Sequence, residues 1–347
     1  MALRSAEKSR VSSCAAADEI AKAVIGKYKE LTSGKCESQI VLAGIVAVRE
    51  PDFLQVVSIG VGNKFEPTGK KDPNRVRDCH AEILARRAFK RWLIEEYASV
   101  SDGGESDFFQ VVNDIRGSVC MSVKDGVQWA LYVSSAPCGN ACVRRWGDSP
   151  KETFHEDLKR LEFFDDRPHP PFHPHSQSEG QTAVTFKGGS TILSCSDKIL
   201  RWNVLGLQGR KLSAIVESNI YLHAIIVGRK FVRKHAHRAF CCRFSSKKID
   251  KLIQQSVHHP CMLCTAVKLD DGGLDAEIGA CFTERVLWWH ASLDKAEFID
   301  GASGLTVNGE PSALSSSQFE QECRDIPQPK NEILFLVERL VEQLTKL

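Results

Sequence analysis

The segment DCHAEILARR places His80 and Glu82 two positions apart at the start of a predicted helix, and this spacing constrains the fold more than any other feature. On an ideal helix, residues two apart point in directions that differ by roughly 200°. The pair can face one point only at the first turn, where the entering chain still bends. An imidazole and a carboxylate this close could be a metal ligand and a proton carrier, or the solvated start of an ordinary helix.

Composition restricts the setting in which such a pair would work. The chain has 347 residues, of which 42% are hydrophobic and 26% charged, as in ordinary globular proteins. No segment approaches the ~20 apolar residues of a membrane span, and the first ten residues, MALRSAEKSR, precede no apolar segment of a secretory signal. We therefore expect an intracellular protein, in the nucleus or the cytoplasm, with no membrane partner.

The cysteine count and the net charge narrow the chemistry further. An odd number of cysteines, 13, without an export signal favours reduced thiols, some of them metal ligands, over a disulfide framework. A formal net charge of +2 argues against coating nucleic acid by bulk charge, although it permits a local basic face.

Hydrophobic periodicity predicts an α/β fold, because strand-like segments alternate with helical ones. We interpret the whole chain, 1–347, as one domain, with its core motifs in 39–228 and a mobile His/Pro/Ser-rich loop near 155–182. The predicted helices cover 14–32, 78–97 and 330–347, and the predicted strands cover 39–48, 53–62, 128–136 and 219–228.

A metal site built around the first pair requires further ligands. Catalytic zinc takes three protein ligands and keeps one open position, and nucleobase deaminases add a glutamate that does not bind the metal. Their pattern is H-x-E, then Pro-Cys, then a cysteine three residues on. Here Pro137 and Cys138 follow a predicted strand, but position 141 is Ala141, and Cys142 breaks the spacing. The third ligand must come from elsewhere or there is no site, and Cys195 in SCSDK is the candidate.

Three blocks, DCHAEILARR, SSAPCGNA and SCSDKILRWNVLGLQG, in this order closely resemble the signature blocks of the adenosine deaminases acting on RNA. The third block is the most specific, because so long a match is improbable by chance. The likeness extends more loosely from about residue 39 to about residue 304. The resemblance implies a cytidine-deaminase-like mixed sheet with packed helices, elaborated by a C-terminal α/β extension.

The resemblance also implies the ligands and the reaction. It makes His80, Cys138 and Cys195 the zinc ligands and Glu82 the proton carrier, since this family takes its third ligand from the distant SCSDK block. Zinc lowers the pKa of a bound water towards ~7. Glu82 would then pass a proton from that water to N1 of adenine while the water oxygen attacks C6. Ammonia leaves, and the implied product is inosine in RNA.

Cations follow the H-x-E pair, and from the residues alone a solvated basic helix face is the ordinary interpretation. In relatives, the equivalent positions line a buried cage for inositol hexakisphosphate, and a buried cluster of like charges needs a counter-anion. The C-terminal lysine- and tryptophan-bearing segment that completes the cage in relatives is not recognisable in 330–347. The cage residues that the resemblance implies here are Arg86, Arg87, Lys198, Arg201 and Trp202.

Two smaller assignments rest on the same resemblance. Asp78 and Lys198 are expected to relay between the cage and the zinc site. Asn63 and Lys64, in the segment GVGNK, match a loop over the active site, and we expect them to contact the substrate.

The expected RNA is tRNA, beside the anticodon, and the resemblance points to alanine tRNA. Too little chain precedes the first predicted strand for a double-stranded-RNA-binding module. A duplex adenine must be flipped out at a cost of a few kcal/mol, whereas an anticodon loop offers one nearly unpaired. The alternatives are a duplex-RNA editor and a non-catalytic RNA-binding relative, and the presence of Glu82 with all three ligands disfavours the latter. No DNA partner is expected.

Other cysteines and histidines are assigned no function at this point. The segment HHPCMLC contains His258, His259, Cys261 and Cys264 and could bind structural zinc, but no second ligand pair is evident, and we interpret it as a segment that binds no metal. Cys241 and Cys242 are interpreted as small buried residues.

Overall fold

The computed structural model describes residues 14–33, 40–49, 53–65, 72–113, 117–139, 141, 183–185, 191–242, 257–269 and 285–327. The α-helices of this part are α1 Cys14–Leu31, α2 Ala81–Ser101, α3 Cys195–Leu205, α4 Arg233–Phe240 and α5 Ser316–Glu322, and a 3-10 helix covers Arg210–Leu212. The strands are β1 Leu42–Arg49, β2 Phe53–Val61, β3 Asn63–Phe65, β4 Asp78–His80, β5 Phe109–Asn113, β6 Val119–Val123, β7 Gln128–Val133, β8 Ala183–Thr185, β9 Thr191–Leu193, β10 Ala224–Val227, β11 Cys261–Cys264, β12 Arg285–His290 and β13 Glu297–Asp300.

A mixed seven-stranded sheet in the order β11-β10-β7-β1-β2-β12-β13 forms the centre of the fold. Strands β7, β10 and β11 run parallel to one another, and the remaining neighbours pair antiparallel. The short pairs β3–β4, β5–β6 and β8–β9 lie outside this sheet. The α/β class predicted from the sequence is therefore confirmed.

Both faces of the sheet are covered, and its central strand β1 is apolar and buried from Leu42 to Val48. Alternate side chains of a strand point to opposite faces. In β1, Ala43, Ile45 and Ala47 lie in the core beneath α2, whereas Val46 and Val48 lie in the core beneath α1. A strand buried on both faces carries such an unbroken apolar sequence. The first core also includes buried residues of α3 and α4, so these helices lie on the same side as α2.

Several elements predicted from the sequence are present in the structure. The helix predicted over 14–32 is α1, and the predicted hairpin is formed by β1 and β2. The helix predicted from Asp78 begins instead at Ala81, because the preceding three residues pair with β3 as a strand. Of the described helices, none is long and apolar enough to span a membrane.

Other predictions have a different outcome. The strands predicted over 128–136 and 219–228 are shorter, at Gln128–Val133 and Ala224–Val227. The predicted C-terminal helix and the loop near 155–182 lie outside the described residues. The single domain over 1–347 stays a prediction.

Close packing between β2 and α2 positions the start of the helix. A Cβ added to Gly60 would lie 2.3 Å from the carbonyl oxygen of Ala81 and 2.5 Å from the backbone nitrogen of Ala85. The missing side chain therefore lets the first turn of α2 lie directly on the sheet. The backbone N–H of Ala81 also donates to the carbonyl of Gly62 at 2.9 Å, which joins the helix to the chain between β2 and β3.

Candidate active site

The first turn of α2 resolves the problem posed by the spacing of His80 and Glu82. His80 is the N-cap residue, with an extended backbone (φ −69°, ψ 141°), and it is also the last residue of β4. Glu82 lies inside the first helical turn. The change from strand to helix between the two residues lets both side chains face the same region, although a continuous helix would separate them.

Cys138 and Cys195 come from two different elements and meet at the start of α3. Cys195 is the first residue of α3, whose N-cap Ser194 accepts a hydrogen bond from the backbone N–H of Asp197. The backbone N–H of Cys195 donates to Sγ of Cys138 at 3.3 Å. Ser196 donates from its backbone N–H and its hydroxyl to the carbonyl of Cys138, at 3.0 Å and 2.8 Å. These bonds fix the segment after β7 against the helix.

The three predicted ligands converge. One ligand atom each from His80, Cys138 and Cys195 lies within 4.8 Å of the others. Two thiols and one imidazole are the donor set of a catalytic zinc site with an open fourth position. The residues therefore fit zinc, and these three would bind it.

The thiols are placed for deprotonation. A hydrogen bond with Cys195 lowers the pKa of Cys138 to about 7, despite burial. Burial and the neighbouring thiol raise the pKa of Cys195. Two adjacent thiols cannot readily ionise together, because their negative charges repel each other. A bound cation would offset that repulsion, and its binding would release the protons of both thiols.

Asp78 orients the imidazole ligand. Nδ1 of His80 donates to Oδ1 of Asp78 at 2.7 Å, so Nε2 is the ring atom that can bind a metal. Lys198 forms an ion pair with the other carboxylate oxygen. Burial alone would raise the pKa of Asp78, but Lys198 and His80 together hold that pKa well below its usual range. Asp78 thus connects Lys198 on α3 to the predicted ligand on β4, and its relay role stays a prediction.

Glu82 has the surroundings of a proton carrier. The side chain is buried, and Oε2 has no hydrogen-bond partner among the described residues. Burial raises the pKa of Glu82, and the nearby His80 opposes this effect. A carboxyl group whose charged form is disfavoured can take up and return a proton near neutral pH.

Asn63 lies beside the ligand, and the predicted substrate residues can be placed only in part. Strand β3 pairs with β4 so that Asn63 is opposite His80. Oδ1 of Asn63 is buried without a hydrogen-bond partner in the described part of the chain. An amide oxygen in this position can accept from a bound base. Lys64 is placed opposite Cys79, but its side chain is outside the described part.

The cations predicted to line an anion cage lie on α2 and α3. Arg86 donates from Nε to the carbonyl of Leu207 at 2.9 Å, and its guanidinium lies 5.1 Å from the centre of the Trp202 ring. Arg87 donates from Nη1 to the carbonyl of Leu314 at 3.0 Å. Arg201 is half-buried on α3.

One further cation belongs to this cluster, and the sequence analysis placed it on the same helix face as Arg86 without including it in the cage. Lys90 follows Arg86 by one helical turn, and its ammonium lies 3.8 Å from the centre of the Phe319 ring. Burial, and then the charge of Arg86, holds the pKa of Lys90 well below its usual range. The i, i+4 spacing from Arg86 was the available signal.

Comparisons with known proteins agree with the site. Residues 58–326 match the family described as "Adenosine-deaminase (editase) domain". The double-stranded RNA-specific adenosine deaminase of Mus musculus is 31% identical over 306 residues, which cover 79% of this chain and 24% of the mouse protein. The double-stranded RNA-specific editase Adar of Drosophila melanogaster is 27% identical over 338 residues, 87% of this chain and 46% of that protein.

A relative named for a different RNA also matches. The tRNA-specific adenosine deaminase 1 of Drosophila melanogaster is 30% identical over 226 residues, 60% of this chain and 54% of that protein. The chain thus spans less than half the length of the two proteins named for double-stranded RNA.

Proposed function

We propose that this chain, which belongs to the adenosine-deaminase (editase) domain family, converts adenosine to inosine in RNA. The reaction would take place at the site formed by His80, Cys138, Cys195 and Glu82. The observation that carries the proposal is the convergence of the three ligand atoms within 4.8 Å at the start of two helices, with the buried Glu82 in the first turn of one of them. Hydrolysis consumes one water and releases one ammonia for each inosine formed.

The roles of the residues follow from their surroundings. A zinc ion held by His80, Cys138 and Cys195 would lower the pKa of a coordinated water towards ~7. Glu82 accepts a proton from the attacking water and delivers it to N1 of the adenine. The same carboxyl group then assists departure of the amino group from C6 as ammonia. Asn63, opposite His80, accepts a hydrogen bond from the bound nucleotide, and Lys64 contacts the RNA.

We assign Asp78 a positioning role. It accepts from the imidazole ligand on one side and pairs with Lys198 on the other. These two contacts support the relay expected from the sequence, because they orient the His80 ring and link the proposed zinc site to the cations on α3.

We propose that the cations on α2 and α3 enclose inositol hexakisphosphate. Arg86 and Arg87 bond to neutral carbonyls, and Lys90 lies close enough to Arg86 for its pKa to fall. A multivalent anion would neutralise such a cluster more effectively than single carboxylates. Lys198, Arg201 and Trp202 complete the proposed lining.

A mass spectrum of the small molecules released when purified protein is denatured tests the cage. About one equivalent of inositol hexakisphosphate per chain is expected. The Arg86→Met, Lys90→Met variant should release much less, whereas Lys27→Met, which changes an exposed ion pair on α1, should release as much as wild type. Release of no polyphosphate from wild type would contradict the proposal.

We propose tRNA, in its anticodon loop, as the substrate, because an unpaired adenosine reaches a site of this kind without the cost of base flipping. A duplex-RNA substrate is the second candidate, and a specific observation favours it. The matches to proteins named for double-stranded RNA cover 79% and 87% of this chain, against 60% for the tRNA enzyme.

One experiment separates these substrates. Purified protein is incubated in parallel with total tRNA and with a long perfect duplex RNA, and inosine is located by sequencing. Inosine beside the anticodon, absent in a Glu82→Gln control, supports the tRNA proposal, and inosine confined to the duplex supports the second candidate. Inosine in neither RNA, with zinc bound, would contradict the deaminase assignment.

A further inference from the structure

We propose a second metal site, structural and separate from the active site, in which His237, Cys241, Cys242 and His259 bind a zinc ion. Ligand atoms of His237, Cys241 and Cys242 lie within 4.8 Å of one another. The fourth residue comes from a different segment, since Nδ1 of His259 is 3.8 Å from Sγ of Cys242. Cys241 is buried as expected and Cys242 is partly buried, and the proposal gives these cysteines and His259 of the HHPCMLC segment a role that the sequence analysis did not assign.

The separations within the cluster suit tetrahedral zinc. With Zn–S near ~2.3 Å and Zn–N near ~2.0 Å, tetrahedral geometry separates two thiolates by about 3.8 Å and a thiolate from an imidazole nitrogen by about 3.5 Å. The Sγ atoms of Cys241 and Cys242 are 3.4 Å apart, and the contact to His259 is 3.8 Å. Ligand atoms of His237, Cys241 and Cys242 already lie within 4.8 Å of one another, and the ring of His259 would have to move towards this group to complete the coordination. Two thiols with two imidazoles also close the coordination sphere, as structural zinc requires.

The end of α4 presents the first three donors together. His237 lies in the last turn of α4, and the backbone N–H groups of Cys241 and Cys242 both donate to its carbonyl, at 3.1 Å and 2.7 Å. This tight turn brings both cysteines beneath the His237 side chain. The C-terminal end of a helix also carries a partial negative charge, which favours a cation.

Asn203 joins the two segments that contribute ligands. Its side-chain amide donates to the backbone carbonyl of Phe240 at 3.0 Å, and its backbone carbonyl accepts from the backbone N–H of His258 at 2.7 Å. The ring of His258 stacks on Tyr221 with centroids 4.9 Å apart. His258 is therefore committed to packing, whereas His259 faces Cys242.

The location shows what such a metal would do. Asn203 and Cys195 belong to the same helix, eight positions apart by number, or roughly 12 Å along the axis. A zinc ion at the second cluster would fasten α4 and the chain entering β11 to the far end of the helix that supplies a ligand to the active site. It would stabilise this arrangement without contacting the substrate.

The metal content of the purified full-length chain tests the proposal, using zinc and protein measured on the same sample. About two zinc ions per chain are expected. Cys242→Ser and His259→Ala should each lower the content by about one, whereas the matched control His258→Ala should keep two. Cys138→Ser removes an active-site ligand, so it should also lose about one ion, and Cys138→Ser with His259→Ala should bind close to none.

A second measurement on the wild-type chain does not depend on the folding of any variant. Alkylation of Cys241 and Cys242 is followed by peptide mass spectrometry before and after zinc is removed with a chelator. Labelling that rises at least several-fold after chelation supports the site. Unchanged labelling, or a zinc content that His259→Ala and Cys242→Ser leave at the wild-type level, would overturn the inference. Neither outcome alters the test of the deaminase assignment, which rests on inosine formation and its loss in Glu82→Gln.

Discussion

At the scale of single residues, burial distinguishes Glu82 from the other glutamates of α2. The sequence offers several glutamates on α2, but Glu82 is buried in the first turn beside the proposed ligands. Glu95, by contrast, is half-exposed further along the helix. The same side chain is a surface group at one position and a candidate proton carrier at the other, because burial disfavours its charged form.

We expect Glu82→Gln to fold and to keep zinc, but to lose turnover by ~10²–10⁴-fold or more, since an amide cannot accept and return a proton. Single-turnover inosine formation and zinc content measure the two effects separately. Glu95→Gln on the same helix is the matched control and should be close to wild type. A near-normal rate in Glu82→Gln would refute the proposed role.

His290 makes stability depend on pH. The side chain is fully buried at the end of β12, and neither ring nitrogen has a hydrogen-bond partner in the described part of the chain. Burial, with a smaller contribution from Arg91, lowers the pKa of His290 from 6.5 to about 4. The half-exposed carboxylate of Glu95, 3.6 Å away, does not offset this. Between pH 4 and pH 6.5 the unfolded chain binds more protons than the folded chain. The contribution of neutral His290 to the free energy of unfolding is therefore fully present above pH 6.5, and it is lost as the pH falls towards 4.

We therefore expect the wild-type protein to lose about 1 kcal/mol more of its free energy of unfolding than His290→Phe does when the pH falls from 7.5 to 5.5. Urea unfolding of both proteins at the two pH values gives this difference, and any common loss from metal release cancels. Equal pH dependence in the two proteins would show that His290 titrates normally in the folded state.

At the scale of elements, the junction between β2 and α2 decides whether the site forms. Gly60 lies under the first turn of α2, so a side chain there would meet backbone atoms that cannot rotate away. The helix carries Glu82 and follows directly after His80. Any displacement of the helix therefore moves the proton carrier and a proposed ligand together.

Gly60→Ala should destabilise the protein by about 1–3 kcal/mol and weaken zinc binding, because the helix must move away from the sheet. Gly26→Ala is the matched control. Gly26 lies in the exposed face of α1 with no atom within 4 Å of an added Cβ, and this change should stabilise the helix by up to about 1 kcal/mol. Urea unfolding midpoints measure both, and a Gly60→Ala protein as stable as wild type would contradict the packing argument.

At the scale of the whole molecule, the proposed zinc ligands connect segments that are far apart in sequence. His80 ends β4, Cys138 follows β7 and Cys195 begins α3. A metal that joins three segments of the folded chain binds the unfolded chain weakly, so its binding energy adds to the stability of the fold.

Removal of zinc with a chelator should abolish inosine formation and lower the melting temperature by about 5 °C or more, since each kcal/mol corresponds to ~2–4 °C in proteins of about 150–250 residues. Differential scanning calorimetry with and without chelator measures the shift. Glu82→Gln is the comparison, because it should lack activity and yet show the same shift. An unchanged melting temperature would mean that the ligands form a stable arrangement without metal.

The sequence by itself determined the local elements and the family. Periodicity of apolar residues is a local property, so α1, the β1–β2 hairpin and the buried face of α2 could be predicted from it. The three signature blocks predicted the residues of the proposed site, because each block is continuous along the chain. Boundaries were less certain, as at Asp78, where pairing with β3 replaced the first helical turn.

Tertiary structure alone decided which residues meet. Spacing left the third ligand open after Ala141, and only the packing of α3 against the segment after β7 brings Cys195 to Cys138. Likewise, no sequence pattern joins His237 to His259, because β11 and α4 become neighbours only when the sheet is complete. Contacts between distant segments depend on the whole set of packed elements, and for that reason a local pattern cannot specify them.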